Sequence, residues 1–334
     1  MDICKTLQQL NAAFGPAGDE AGVASVIAEL ARPYVDEITT DTMGNLICHK
    51  KGSGPKVMFA AHMDSIGLII TYIEKEGFLR FGAVGGINPS AILYCPVRFK
   101  NGVKGTVGIS EGADIAKLKL DDLFIDIGVT SADEAKELVN VGDVAIYDTA
   151  TSAAGSCVIS PYQDNRISCV IQLMAMEKLG KTENDLYFVF TVQEEVGLRG
   201  ARTAAYAIEP DYGIAIDVTV SADIPNTKHG SSSVQGGGAA IKVMDASVIC
   251  HPVVVNKLEE LAKSNGISYQ KDIIRAGGTD AGAIHQTKTG VYTGGISIPC
   301  RYIHTPNESV RCSDVEACAE LARVFAETKL EKEC

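Results

Sequence analysis

The sequence predicts an α/β fold: a mixed sheet covered by helices on both faces, interrupted by an inserted small β-rich domain. Three observations carry that expectation. Continuous apolar runs of strand length alternate with helix-period stretches in the first and last parts of the chain. From about residue 69 to 157 the text changes to short strand-like pieces separated by glycines and charged turns. The 334 residues are 46% hydrophobic and 22% charged, which excludes global disorder and, at ~150 residues per domain, suggests about two domains.

Residues 20–33 (EAGVASVIAELARP) place apolar residues at helical spacing, with acids at the start and a proline near the end. KVMFAA at 56–61 is a short continuous apolar run, the pattern of a strand buried on both faces. Past the Pro161 turn a long helix is expected over 165–179. LYFVFTV (186–192), YGIAIDV (212–218) and VYTGGISI (291–298) are three further strands. HPVVVNKLEELAKSNG (251–266) has the period of a helix closed by Gly266. Ser313, with Glu316 three residues on, forms a capping box for a final helix running to about residue 330. The middle stretch reads as six strands, LIITYI, FLRFGAV, ILYCPVRF, GTVGIS, LFIDIGV and DVAIYDT, with one helix, SADEAKELV. Hence 1–68 with 158–334 is expected to form one α/β domain, and 69–157 a β-barrel-like insert.

Lys plus Arg number 30 against 42 Asp plus Glu, a net charge of −12. Such a surface repels phosphate backbones and anionic membranes, so neither nucleic acid nor membrane is expected as a partner. No apolar run approaches the ~18 residues of a membrane span. The ten cysteines show no C-x-x-C pair and no regular spacing, which reads as free thiols in a reducing compartment. MDICKTLQQLNAAF lacks the basic and apolar regions of an export signal. The expected location is the cytoplasm.

Four apolar strands end in a His or a carboxylate. KVMFAA leads to His62, Met63 and Asp64, LYFVFTV to Gln193, Glu194 and Glu195, YGIAIDV holds Asp217, and GISIPCRYIH brings His304. In an open α/β sheet the carboxyl ends of the strands are where ligands bind, so these residues converge on one cleft. Asp164, at a helix start, joins them if its helix follows the sheet edge. Imidazole and carboxylate donors suit zinc, cobalt or manganese, and five ligands with one bridging carboxylate hold two metals ~3.5–4 Å apart. Glu194 is then a candidate general base beside the ligand Glu195. Adjacent strand residues point to opposite faces, so both glutamates reach one site only at a strand end or bulge. Each piece also has a structural reading. Asp164 fits a helix cap, the paired glutamates a solvated surface, and His62 or His304 a hydrogen-bonded core residue. His49, His229, His251 and His285 are read as structural. Spacing by itself leaves both readings open.

Together, AHMDSIG (61–67), DNR (164–166), VQEEVGLRGA (192–201), AIDV (215–218), GGTDAGAIH (277–285) and CRYIHTP (300–306) resemble one family. It is the two-metal aminopeptidases that include tetrahedral aminopeptidase and bacterial glutamyl aminopeptidase, some of whose members carry endoglucanase labels. LFIDIG (123–128) extends the likeness into the insert. The resemblance implies a zinc-peptidase-like fold, with His62 and Asp217 on one metal, Glu195 and His304 on the other, and Asp164 bridging. It implies Glu194 as general base, Asp64 orienting His62, and Gly277, Gly278, Thr279 and Asp280 as a loop beside the site. It further implies two divalent metal ions, zinc or cobalt or else manganese, and a homo-oligomer such as a dodecamer, with the insert serving assembly. The substrates implied are peptides, cut at the amino end. The chain departs from the family pattern at Ser65, where Glu is usual, at Tyr162-Gln163, and over 219–238. Those positions bear on specificity and loop geometry, not on the ligands.

Two alternatives come from other classes. A glycosidase would act through paired carboxylates such as Glu194 and Asp64. Against it, the chain has no Trp and only 6% aromatic residues, too few for the flat platforms of a cellulose groove. A non-catalytic scaffold protein would not need the complete donor set.

Overall fold

The computed structural model describes residues 1–227 and 232–331, so His229 lies outside the described residues. A large mixed sheet of eleven strands forms one part of the molecule. At its centre four parallel strands stand in the spatial order Asp185–Thr191, Lys56–His62, Tyr212–Val220, Tyr292–Arg301. Their apolar runs are continuous because helices cover both faces. Val57, Phe59 and Ala61 point into one apolar layer, which includes helices Gln163–Glu177 and Cys312–Glu327. Met58 and Ala60 point into the other, beneath helix Arg199–Ile208. Phe59 anchors the first layer, stacked on Phe188 at 5.2 Å and edge-on to Phe325 at 6.3 Å.

The middle stretch is a closed antiparallel barrel with its own apolar centre, including Leu68, Leu79, Val97, Val107 and Ile125. Its six strands are Gly67–Ile73, Leu79–Val84, Pro96–Phe99, Lys104–Ile109, Leu123–Asp126 and Val144–Tyr147. Each corresponds to one strand expected from sequence, and SADEAKELV supplies helix Ala132–Leu138, capped by Ser131. Strands Ser152–Ala154 and Cys157–Ser160 lie beyond the barrel. They join the large sheet by pairing Cys157–Ser160 with Glu308–Arg311, so barrel strands end at Tyr147. A four-residue strand carries no local mark of a partner ~150 residues away in the chain.

The final helix differs from expectation at its start. Helix Cys312–Glu327 is capped at Arg311 without a side-chain bond, and the Ser313–Glu316 capping box is not made. The helix leaves directly from strand Glu308–Arg311, with Cys312 N–H donating to the Ser156 carbonyl at 3.0 Å, so Ser313 falls inside the helix. Asp314 in the first turn instead accepts from the N–H groups of Gly236 (2.7 Å) and Gly238 (3.0 Å). Helices Ile3–Ala12 and Arg199–Ile208 carry no sequence expectation here, nor do the edge strand Glu37–Thr40 and its neighbour Leu46–Lys50. Among the described residues, no helix is long and apolar enough to cross a membrane.

Candidate active site

The parallel strands prepare the site by where they stop pairing. Lys56–His62 stays in register with Asp185–Thr191 through the pair His62/Thr191. On its other side it pairs with Tyr212–Val220 only from Val57/Tyr212 to Ala60/Ala215. Beyond that point the two strands part, opening a crevice at their carboxyl ends. Asp217 lies on the wall of that crevice, its Oδ1 3.8 Å from His62 Nε2.

Glu194 and Glu195 reach the same crevice because the strand has already ended. After Thr191 the chain turns: Gln193 adopts φ 53°, and the Glu194 carbonyl accepts from Gly197 N–H at 2.8 Å and Leu198 N–H at 2.9 Å. The Asp64 carboxylate holds the turn, accepting from the N–H of Glu194 (3.0 Å) and of Glu195 (3.2 Å). Freed from strand alternation, both side chains face inward. Glu194 Oε2 is 3.7 Å from His62 Nε2, and Glu195 Oε2 is 3.3 Å from His304 Nε2. Asp64 also lies beside His62, with Oδ1 3.5 Å and its carbonyl oxygen 3.2 Å from Nδ1.

Asp164 does not cap its helix. Helix Gln163–Glu177 starts after Tyr162 in a left-handed conformation, and Asp164 and Asn165 are themselves non-helical. That irregular first turn swings the Asp164 carboxylate between the two imidazoles, Oδ1 3.0 Å from His62 Nε2 and Oδ2 3.2 Å from His304 Nε2. Tyr162 anchors the turn by stacking on Tyr147 of the barrel at 5.7 Å. Strand Tyr292–Arg301 stops three residues before His304, which adopts φ 63°.

Two buried acids absent from the sequence reading support this arrangement. Glu308 bridges two backbones, accepting from His304 N–H (Oε1, 2.6 Å) and from Asp164 N–H (Oε2, 2.8 Å). Glu20 Oε1 accepts from Gly18 N–H at 2.7 Å and Gln193 N–H at 3.1 Å, fixing the turn from behind. Glu308 stands in a four-residue strand and Glu20 before an ordinary helix, so nothing local marks either.

His62, Asp164, Glu194, Glu195, Asp217 and His304 all line one cavity of about 670 Å3. Gly277, Gly278 and Thr279 line it too, whereas Asp280 sits behind, accepting from Thr191 Oγ1 at 2.5 Å. Among the described residues no Lys or Arg lines the cavity. Burial therefore pushes the Glu194 and Asp217 carboxyls well above the usual range, and their acidic neighbours add to it. Burial raises Asp164 as well, but the His304 and His62 imidazoles outweigh it and hold that carboxyl low. Burial would lower His304, yet Asp164 and Glu195 carry it up to about 11. Glu195 Oε1 is buried without a hydrogen-bond partner. Four converging carboxylates with two imidazoles, an orphaned oxygen and, among the described residues, no Lys or Arg form a donor set suited to divalent cations. The sets His62–Asp164–Glu195 and His62–Glu194–Asp217 each have ligand atoms within 4.8 Å of one another.

The family model described as M42 glutamyl aminopeptidase matches residues 44–321. The chain belongs to that family. It is a peptide hydrolase. A putative aminopeptidase of Acetivibrio thermocellus is 49% identical, over 96% of this chain and 97% of that one. A lysyl aminopeptidase of Pyrococcus furiosus is 36% identical, with 92% of each chain covered. Among solved structures, an aminopeptidase of Desulfurococcus kamchatkensis superimposes with a TM-score of 0.93 at 39% identity, over 97% of this chain and 94% of that one. The Pyrococcus horikoshii TET1 peptidase, which assembles into a tetrahedron or a large octahedral shell, gives 0.86 at 32%, over 97% and 99%. A Thermotoga maritima structure called an endoglucanase gives 0.81 at 30%, over 96% of each chain. For this family member the Glu194–Asp64 pair of the glycosidase alternative is not available. Asp64, its second carboxylate, is 0% exposed and committed to the Glu194 and Glu195 backbones.

Proposed function

We propose that this cavity removes single residues from the amino ends of peptides with the help of two divalent cations. His62, Asp164 and Asp217 would hold one cation, and Asp164, Glu195 and His304 the other. Zinc or cobalt suits these ligands, and manganese is compatible with them. Cations held there polarise a peptide carbonyl and acidify water. Glu194 accepts a proton as water oxygen bonds to the carbonyl carbon, then delivers it to the leaving amine as the C–N bond breaks. Asp64 is a positioning residue that holds the base and its neighbouring ligand through their N–H groups. The carrying observation is the convergence of four carboxylates and two imidazoles with no Lys or Arg among the described wall residues.

The shells formed by the TET1 relative support a homo-oligomer for this chain, a dodecamer among the options, with the barrel as the joining surface. A cytoplasmic location accords with the nine described cysteines, all free. The test is an aminoacyl chromogenic panel on metal-stripped protein with each metal restored. Turnover should return with metal and fall at least ~10²-fold when the substrate amine is acetylated, a loss of the size that follows from leaving a buried polar group unpaired. Equal turnover of acetylated peptides would mark an endopeptidase, and release of reducing sugar from cellulose a glycosidase.

A further inference from the structure

We infer that the cavity accepts a neutral, aliphatic amino-terminal side chain, so that peptides beginning with Leu, Ile or Met are preferred over those beginning with Glu or Lys. The inference rests on the aminopeptidase function proposed above and specifies the substrate of the same site. Outside the six ionisable residues of the cluster, the described wall carries no charged side chain. Its larger surfaces are Leu198, Ile274 and Ile303, with Val220 at the exposed rim and the small Ala246 and Ala276 also in the lining.

The hydroxyl groups of this wall are already spent. Ser247 Oγ donates to Asp245 Oδ1 at 2.7 Å, and Thr279 Oγ1 donates to Asp245 Oδ2 at 3.1 Å. Thr219 Oγ1 donates to Asp272 Oδ1 at 2.9 Å. Each hydroxyl has one hydrogen to give, so none is left for a substrate carboxylate. The described cations nearby do not line the cavity. Lys242 and Asp272 face each other at 2.6 Å, both fully buried. Arg199 donates to Gln193 Oε1 at 3.1 Å, and Arg275 is exposed and does not line the cavity. A glutamyl side chain entering here loses its water and, among the described wall side chains, finds no Lys, Arg or free hydroxyl to replace it. A lysyl side chain finds, among the described wall residues, no carboxylate outside the cluster. An aliphatic side chain loses nothing on entry and buries its own surface.

The test compares kcat/KM of the metal-loaded wild-type protein on leucyl-, methionyl-, glutamyl- and lysyl-p-nitroanilide. Leucyl should exceed glutamyl and lysyl by at least ~10²-fold, the scale on which a site leaves a buried polar group unpaired. A glutamyl or lysyl substrate cleaved as well as leucyl overturns the inference and leaves the aminopeptidase function standing. No turnover of any free-amino substrate removes that function and the inference with it. In a second arm, Ile274→Lys places a cation in the wall and should shift the leucyl-to-glutamyl ratio at least ~10-fold toward glutamyl. Circular dichroism and metal content establish that this variant is folded. An unchanged ratio in the folded variant shows that residue 274 does not face the substrate side chain and counts against the inference.

Discussion

The barrel and the large sheet bury different things. Between residues 67 and 147 no Ser, Thr, Asn, Gln or charged side chain is buried, whereas the sheet region buries His62, Asp64, Asp164, Asp217, Asp280 and Glu308 among many others. The barrel lends only Gly86 to the cavity wall, where an added Cβ would meet the His304 ring at 2.8 Å. The contrast follows from how each sheet closes. An antiparallel barrel pairs every strand with a neighbour and needs only apolar filling. A parallel sheet delivers all its strand ends to one edge, where backbone turns and buried acids must be fixed by further buried polar groups. In this molecule ionisable chemistry is concentrated at the end of the parallel sheet.

The largest effect that could break this contrast lies at the two neighbouring glutamates. Glu194→Gln should lower kcat by ~10²–10⁴-fold with metal content unchanged, because the amide keeps the shape but cannot take a proton. Glu195→Gln should lose activity together with one of the bound cations. Elemental analysis beside kcat for both variants distinguishes base from ligand, and the assignment fails if Glu194→Gln sheds metal as Glu195→Gln does. A smaller effect tests the other side of the comparison. Leu68→Ala in the barrel centre should cost about 2–5 kcal/mol in stability, read by urea unfolding, while kcat of the folded fraction stays near wild type. A large kcat loss would show that the barrel does more than provide an apolar scaffold, for which the Tyr147–Tyr162 contact near Asp164 offers a route.

The smallest expected effect concerns pH. Burial raises the Glu20 carboxyl to about 6, against 4.5 for an ordinary glutamate, so the folded state binds its proton more tightly than the unfolded chain does. Stability from this group is therefore present below pH 4.5 and is lost as pH rises through about 6. Glu20→Gln keeps an acceptor for Gly18 and Gln193 and removes the buried charge. Its melting temperature relative to wild type should rise between pH 4.5 and about 6 and level off above. A pH-independent difference would mean that Glu20 stays ionised throughout.

Much of the fold was legible locally. KVMFAA and YGIAIDV are apolar on consecutive residues, a pattern that only a doubly covered strand tolerates. The six barrel strands alternate between glycine-rich turns. The site residues were singled out by their positions at strand ends, and their roles were supplied by resemblance. Asp217 proved to lie within a strand running on to Val220, so the parting of that strand from Lys56–His62 locates it, not the strand's end. Glu20 and Glu308 escaped notice because each ties a local N–H to one 173 or 144 residues away, and only the distant half marks it as part of the site.

What the chain declares in its own text is periodicity, apolar runs and residue type, because these act over a few residues and survive without neighbours. Pairing is different. The hydrogen bonds that align His62 with Thr191 join residues more than a hundred positions apart, and their register depends on all the strands between and around them. The left-handed Gln193 is similarly held from outside, by Glu20 behind its turn, whereas the left-handed His304 is held by Glu308 four residues on, which also reaches Asp164. The tertiary structure therefore decided that two adjacent glutamates could face one cavity, that Asp164 would bridge two imidazoles instead of capping a helix, and that the wall hydroxyls would turn away from the substrate. Apart from the Ser247 bond to nearby Asp245, each of those outcomes rests on hydrogen bonds or close contacts between distant segments, made only once the sheet has brought them together.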